Sequence, residues 1–188
     1  MVALDGITVV TVEQSVAAPF CTSRLADAGA TVIKIEPPGG DSARSYDDAA
    51  LSQSTYFVWL NRGKHSVVLD LLTTEGQEQF KRLLASADVF VQDLRSSGLD
   101  QLGLSVDRLR SDYPSLVCCT ITGYGDSGPY IDRKALDHLL QAECGLASVT
   151  GGSEGPGWVG ISVVDIAMGA TAHSSVLEAL LARTRTGR

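Results

Sequence analysis

An open, mainly parallel α/β sheet with helices on both faces is the fold class that this sequence predicts. Three observations carry that expectation. Short β-branched runs alternate along the chain with helix-period segments, as in repeated strand–helix–strand units. Glycine and proline punctuate the boundaries between them. The 188 residues, 44% hydrophobic and 20% charged, suffice for a buried core in one domain or a little more.

Residues 7–12 form a β-branched run behind Asp5-Gly6 and read as the first strand. Pro19 opens a helix through Ala28, which Gly29 closes in the usual position after a helix end. Residues 31–35 are the second strand, stopped by Pro37-Pro38-Gly39-Gly40. A long loop then runs to Asn61-Arg62-Gly63-Lys64 and carries Arg44, Arg62 and Lys64. Long loops are often the functional ones. Residues 66–69 read as a strand. Thr74 and Gln77 have capping-box spacing, opening a helix whose buried stripe is Phe80, Leu83, Leu84 and Ala87. Residues 89–92 and 116–122 are strands separated by a short helix over 106–113, and two further helices span 134–144 and 164–183. Ligands in such sheets sit at the carboxyl ends of the strands, near a switch in strand order. The loops after residues 12, 35, 92 and 122 are therefore expected to form the site.

Composition narrows the function. The formal net charge is -7 and no Lys/Arg run makes a basic patch, so no nucleic-acid partner is expected. An anionic ligand must be held by a few placed cations and backbone amides. Met1-Val2-Ala3-Leu4-Asp5 has neither a basic n-region nor a long apolar stretch, so no leader is expected there. The most apolar segment, residues 159–177, contains Asp165 and His173, which favours a buried helix over a membrane span. Cys21, Cys118, Cys119 and Cys144 lack zinc-like spacing and read as buried reduced thiols in a cytoplasmic protein.

Gly123-Tyr124-Gly125-Asp126-Ser127-Gly128 matches G-x-G-x-x-G after a strand, but Pro129-Tyr130 follows and no helix opens on its third glycine. It reads as a tight loop whose amides approach some ligand. Asp165 lies between β-branched residues 161–164 and the small-residue stretch Ala167-Met168-Gly169-Ala170. An acid at a helix start is either a cap or, held ionised by the helix dipole, a nucleophile with room for substrate beside it. His138 follows Asp137 and reads as a surface histidine; His65 and His173 have no assigned partner. No H-E-x-x-H or G-x-S-x-G is present, and no metal is expected.

Taken together, Leu4-Asp5-Gly6-Ile7, Ala18-Pro19-Phe20-Cys21-Thr22 and Leu25-Ala26-Asp27-Ala28-Gly29-Ala30 begin a specific succession. It continues with Val32-Ile33-Lys34-Ile35-Glu36-Pro37-Pro38-Gly39-Gly40-Asp41, Leu60-Asn61-Arg62-Gly63-Lys64 and Ser66-Val67-Val68-Leu69-Asp70-Leu71. Gly123-Tyr124-Gly125, Gly128-Pro129-Tyr130 and Arg185-Thr186-Gly187-Arg188 complete it. In this order and spacing the chain resembles the class III CoA-transferases, a family that includes the α-methylacyl-CoA racemases. The resemblance implies a Rossmann-like domain that binds coenzyme A or acyl-CoA as substrate, in enzymes that form interlocked homodimers. It places Asp165 at the catalytic aspartate, which attacks the donor thioester to give an aspartyl anhydride and CoA thiolate. The thiolate returns to make an aspartyl-CoA thioester, and an acceptor carboxylate completes the exchange.

The same resemblance implies CoA contacts at Ser15, Val16 and Ala17, at Leu71 and Leu72, and at Asp93, Leu94 and Arg95. Lys134 and Ala135 match a further contact, with Lys134 suited to a phosphate, and Arg44 is expected to help bind CoA or an acyl carboxylate. Around Asp93 the chain lacks the proline that the family commonly has. Where racemases carry a histidine before the position of Asp137, this chain has Leu136, which favours a transferase over a racemase or isomerase. The Glu13-Gln14-Ser15-Val16-Ala17-Ala18-Pro19 segment resembles members that use small dicarboxylates. Family members run to about twice this length, so residues 1–188 are expected to be the N-terminal part of a large domain, without the small domain and the C-terminal return segment. A CoA-binding half that needs a separate C-terminal partner is the third reading.

Overall fold

Five parallel strands run in the order β3-β2-β1-β4-β5 in the computed structural model, which describes residues 2–94, 98, 102–103, 105–131 and 133–187. They are β1 (Thr8–Val12), β2 (Thr31–Glu36), β3 (His65–Val68), β4 (Val89–Gln92) and β5 (Val117–Thr120). The chain winds outward from β1 to β3, then returns to the other side of β1 with β4. Strand order therefore switches between β1 and β4, and their carboxyl ends diverge to leave a crevice. Register is set by apolar pairing at the centre, where Val9 lies between Val32 and Val89.

Because side chains alternate across a strand, the central strands supply both layers of core. Val9, Val32, Val89 and Val91 face α1 (Ala17–Asp27) and α7 (Val163–Thr186), meeting Cys21, Leu25, Val176 and Leu180. Val10, Ile35 and Phe90 face the other way, onto Phe80 and Leu84 of α3 (Thr74–Ala85) and Leu109 of α4 (Val106–Asp112). Phe80 and Phe90 meet edge to face with centroids 5.6 Å apart. Each such buried side chain contributes about 1.5–3 kcal/mol.

Several boundaries differ from expectation. Helix α1 starts at Ala17, two residues before Pro19, because proline in the first turn removes only an amide that has no helical partner. Thr73, not Thr74, caps α3 by accepting from the Gly76 amide at 3.1 Å, and Gln77 donates to the Leu71 carbonyl instead of closing a capping box. The expected loop over 37–64 folds into a 3-10 turn (Ser42–Ser45) capped by Asp41 and a helix α2 (Thr55–Asn61) capped by Ser54. Its aromatic and β-branched residues are weak helix formers, so the sequence pattern hides it. Helix α5 (Asp137–Glu143) begins three residues late, and α6 (Leu146–Thr150) follows Gly145, whose φ of 81° turns the chain. The cysteines are free; Cys21 is buried, but Cys144 is exposed, contrary to its reading as buried. No helix among the described residues is long and apolar enough to cross a membrane.

Helices α1 and α7 pack tightly at Gly169, where a Cβ would stand 2.4 Å from the Ala17 carbonyl oxygen and 3.0 Å from Phe20 Cβ. Both contacts lie in the helix that would have to move. Gly169→Ala is expected to cost about 1–3 kcal/mol by forcing α1 and α7 apart, read as a lower urea midpoint with an unchanged slope.

Candidate functional site

At the switch point, a cavity of about 440 Å³ opens between the carboxyl ends of β1, β4 and β5 and the start of α7. Ser15, Val16 and Ala17 reach it from the loop after β1, Asp93 and Leu94 from β4, Lys134 and Ala135 from the segment before α5, and Asp165 from the first turn of α7. Gly123, Tyr124 and Gly125 form another wall, consistent with a tight ligand-facing loop. Gly125 has φ 85° and its amide donates to Thr122 Oγ1 at 2.9 Å. The loops after residues 12, 92 and 122 thus meet as expected. The loop after 35 contributes none of the described lining residues.

Ser15 adopts φ 60°, a left-handed conformation costing a non-glycine residue on the order of 1–3 kcal/mol. Two contacts hold it there: Ser15 Oγ lies 2.9 Å from Tyr46 Oη, and the Gln14 amide donates to Asp93 Oδ2 at 3.0 Å. Asp93 ties the loop after β1 to the end of β4. Though its side chain is only half-buried by area, its carboxyl lies deep behind that loop, and burial pushes it up to about 7.

Arg44, Leu71 and Leu72 do not line the cavity, and Arg95 lies outside the described residues. Arg44 makes two 2.7 Å bonds to the Glu36 carboxylate and stacks 3.8 Å from the Phe57 ring centre. Burial opposes the charge on Glu36, but Arg44, Ser66 and the Asp41 amide prevail and hold it at about 2. Leu71 packs on the lower core, while Leu72 is exposed beyond β3. The other loop cations are also paired: Arg62 with Asp27, and Lys64 with Glu13 at 2.7 Å.

Behind the cavity lies a buried charge cluster that the sequence reading missed. Glu13 accepts from Lys64, from Thr11 Oγ1 at 2.9 Å and from Thr22 Oγ1 at 2.6 Å. Lys34, in the middle of β2, donates to Asp41 at 2.5 Å and to Asn61 at 2.9 Å, and lies 3.7 Å from Glu13. Two carboxylates and two ammonium groups balance. Burial disfavours the Glu13 anion, yet Lys64 and Lys34 outweigh it and hold its carboxyl below the ordinary range. A charged residue inside a β-branched run, here Lys34, was the available signal.

The start of α7 corrects one expectation. The helix-end amides of Val164 and Asp165 do not serve the Asp165 side chain; both donate to Asp137 Oδ2, at 2.9 and 3.0 Å. Asp137 Oδ1 accepts from Gln141 Nε2 at 2.5 Å, and Gln141 in turn accepts from the Val159 amide at 3.0 Å. Asp165, third residue of the helix, therefore shares the helix end with another acid. Burial first, then the Asp137 charge, push it up to about 6, with His138 pulling the other way. The anion still predominates at pH 7. The site is a half-buried, desolvated carboxylate at one end of a crevice with Arg133 and Lys134 at its wall. Such a carboxylate is suited to attack a polarised carbonyl, and the cations are suited to phosphate.

The sequence profile of CoA-transferase family III matches residues 4–188. A succinate–glutarate CoA-transferase of Agrobacterium fabrum is 38% identical over 98% of this chain and 48% of its own length. A formyl-CoA:oxalate CoA-transferase of Streptomyces avermitilis is 37% identical over 99% of this chain and 46% of its own. The solved structure of a CAIB/BAIF family protein from Brucella suis superposes with a TM-score of 0.94 at 37% identity, covering all of this chain and 51% of that one. The chain thus spans about half the length of the curated relatives it matches. With a profile match over nearly every residue and a superposable fold, this chain belongs to CoA-transferase family III.

Proposed function

We propose that this chain carries the nucleophile of an enzyme that moves CoA between carboxylic acids. One observation supports this most directly. Asp165 faces the same cavity as three segments matched to family CoA contacts, Ser15–Val16–Ala17, Asp93–Leu94 and Lys134–Ala135. An Asp165 oxygen attacks the thioester carbon of the donor; the C–S bond breaks, leaving an aspartyl anhydride and CoA thiolate. The thiolate attacks the aspartyl carbonyl, releasing the donor acid and forming an aspartyl-CoA thioester. The acceptor carboxylate attacks that thioester, and the freed thiolate then takes the acceptor acyl group from the second anhydride, restoring Asp165. Lys134 holds a CoA phosphate, while Arg133 is engaged by Glu143 and stacked on Tyr130; the apolar Met168 and Leu140 limit water.

Small dicarboxylates are the proposed acids, in line with the succinate, glutarate and oxalate in the relatives' names. Leu136 at the cavity wall offers no second base, which supports transfer over racemisation. In this reading the relatives' other half, which this chain does not span, supplies the small domain and the return segment, and the active form is a cytoplasmic homodimer. The test is to add acyl-CoA, trap with hydroxylamine or borohydride, and locate the modification by mass spectrometry. Modification at Asp165 is expected; a different modified residue sinks the mechanism.

A further inference from the structure

We propose that Asp137 is a positioning residue for Asp165, fixing the backbone that carries it and presenting a second negative charge to its carboxylate. This rests on the reading of Asp165 as the nucleophile, and deepens it. The geometry is specific. One oxygen of a buried carboxylate takes both the Val164 and the Asp165 amides, across 27 and 28 residues of chain. The other oxygen is held by Gln141, itself fully buried and tied to the Val159 amide, so the Asp137 side chain cannot turn away. Amides at the start of a helix are the donors that would otherwise hold the anion of Asp165. Occupying them with a different acid withholds that stabilisation and adds repulsion.

The consequence is a more basic, more nucleophilic carboxylate that is still mostly ionised at neutral pH. Full stabilisation by the helix end would have given a weaker attacking group. Among the described residues, the charged groups near this position come from three elements. Helix α5 presents Asp137 and His138, whose cation opposes the effect. The segment before it brings Arg133 and Lys134 to the cavity wall, and β4 brings Asp93. On α1, Arg24 acts on His173 further along α7.

The test follows the Asp165 carboxyl carbon by NMR during an acid titration of the protein, alongside trapping with acyl-CoA. In the wild type the midpoint is expected near 6. In Asp137→Asn, which keeps the size and an accepting oxygen, it should fall measurably, while burial, the larger cause, still holds it above the ordinary carboxylate value. The acid limb of the trapping rate should fall with it. Asp137→Glu restores the charge and should bring the midpoint back up. Asp137→Ser, which removes the charge with a smaller side chain, should give the same fall as Asp137→Asn. A role confined to capping the helix would alter stability and leave the midpoint in place. An Asp165 adduct in the wild type with an unmoved midpoint in Asp137→Asn and Asp137→Ser overturns the positioning role alone. A wild type that titrates near 6 and forms no Asp165 adduct overturns the nucleophile reading, and the positioning role with it.

Discussion

Asp165→Ala is expected to lower CoA exchange between an acyl-CoA and a small dicarboxylate by about 10⁴-fold or more, in the enzyme that carries this chain. Both halves of the proposed exchange pass through this one carboxylate, so its loss removes the route instead of slowing one step. Binding is a separate matter: Ser15, Asp93, Lys134 and the glycine loop remain, and CoA affinity should change little. A large loss of kcat with a near-constant Kd is the expected signature. A weakened Kd with kcat unchanged would place Asp165 in binding only. In the wild type, activity should fall as pH drops through about 6, because the attacking form is the anion.

The same variant should be more stable than the wild type. Asp165 has a folded value raised from 3.8 to about 6, so the folded state binds its proton more tightly than the unfolded chain. The penalty is absent below the unfolded value, grows between about 4 and 6, and is complete above that. For a half-buried group the gain on removing it is about 1–2 kcal/mol at neutral pH. Urea midpoints of wild type and Asp165→Ala should therefore diverge on going from pH 4 to pH 7. A nucleophile held at a cost in stability is a common trade at active sites.

Glu13→Ala should have the largest effect on stability, a loss of about 3–5 kcal/mol measured by urea unfolding. Removing this carboxylate leaves Lys64 and Lys34 buried with an unbalanced charge and strips Thr11 of its acceptor, while Thr22 keeps the Ala18 and Pro19 carbonyls. Glu13→Gln keeps the shape and most hydrogen bonds, so its loss should be smaller, isolating the charge. The pH dependence has the opposite sign to that of Asp165. Burial opposes the Glu13 anion, but Lys64 and Lys34 hold its carboxyl below the ordinary value of 4.5, so its contribution is present above that pH and is lost as pH falls through the folded value. The wild type should weaken steeply in acid, and Glu13→Gln should show a flatter profile. Equal acid sensitivity in the two proteins would show that the cluster is not the source.

How far the sequence was legible depends on the range of the interaction involved. Residues 89–92 read as a strand and fold as one, because four consecutive buried residues of a central strand leave a continuous apolar mark. Gly29 marked the end of α1 and indeed takes φ 100°. The hidden helix α2 carries residues that propensity disfavours, stabilised by contacts such as Arg44 on Phe57 and the T-shaped packing of Phe20 and Trp59. Arg44 looked free for a ligand because its partner, Glu36, sits at the end of a strand where an acid attracts no notice.

From the sequence by itself came the alternating α/β plan, four loops of which three meet at the crevice, and Asp165 as the candidate carboxylate in a small-residue helix. All of these rest on local periodicity, turn chemistry or the succession of short motifs, which chain order preserves. Only the tertiary structure decided which acid the α7 amides hold. It likewise decided which carboxylates neutralise Arg44, Lys34 and Lys64, and that Leu71 and Leu72 stand apart from the cavity. The physical reason is that hydrogen bonds and ion pairs between distant residues follow from how strands and helices stack, and that stacking leaves no period in the sequence. Asp165 shows the division most plainly: its place at the helix start was readable, but its charge state depends on its burial and then on Asp137, both set by the fold.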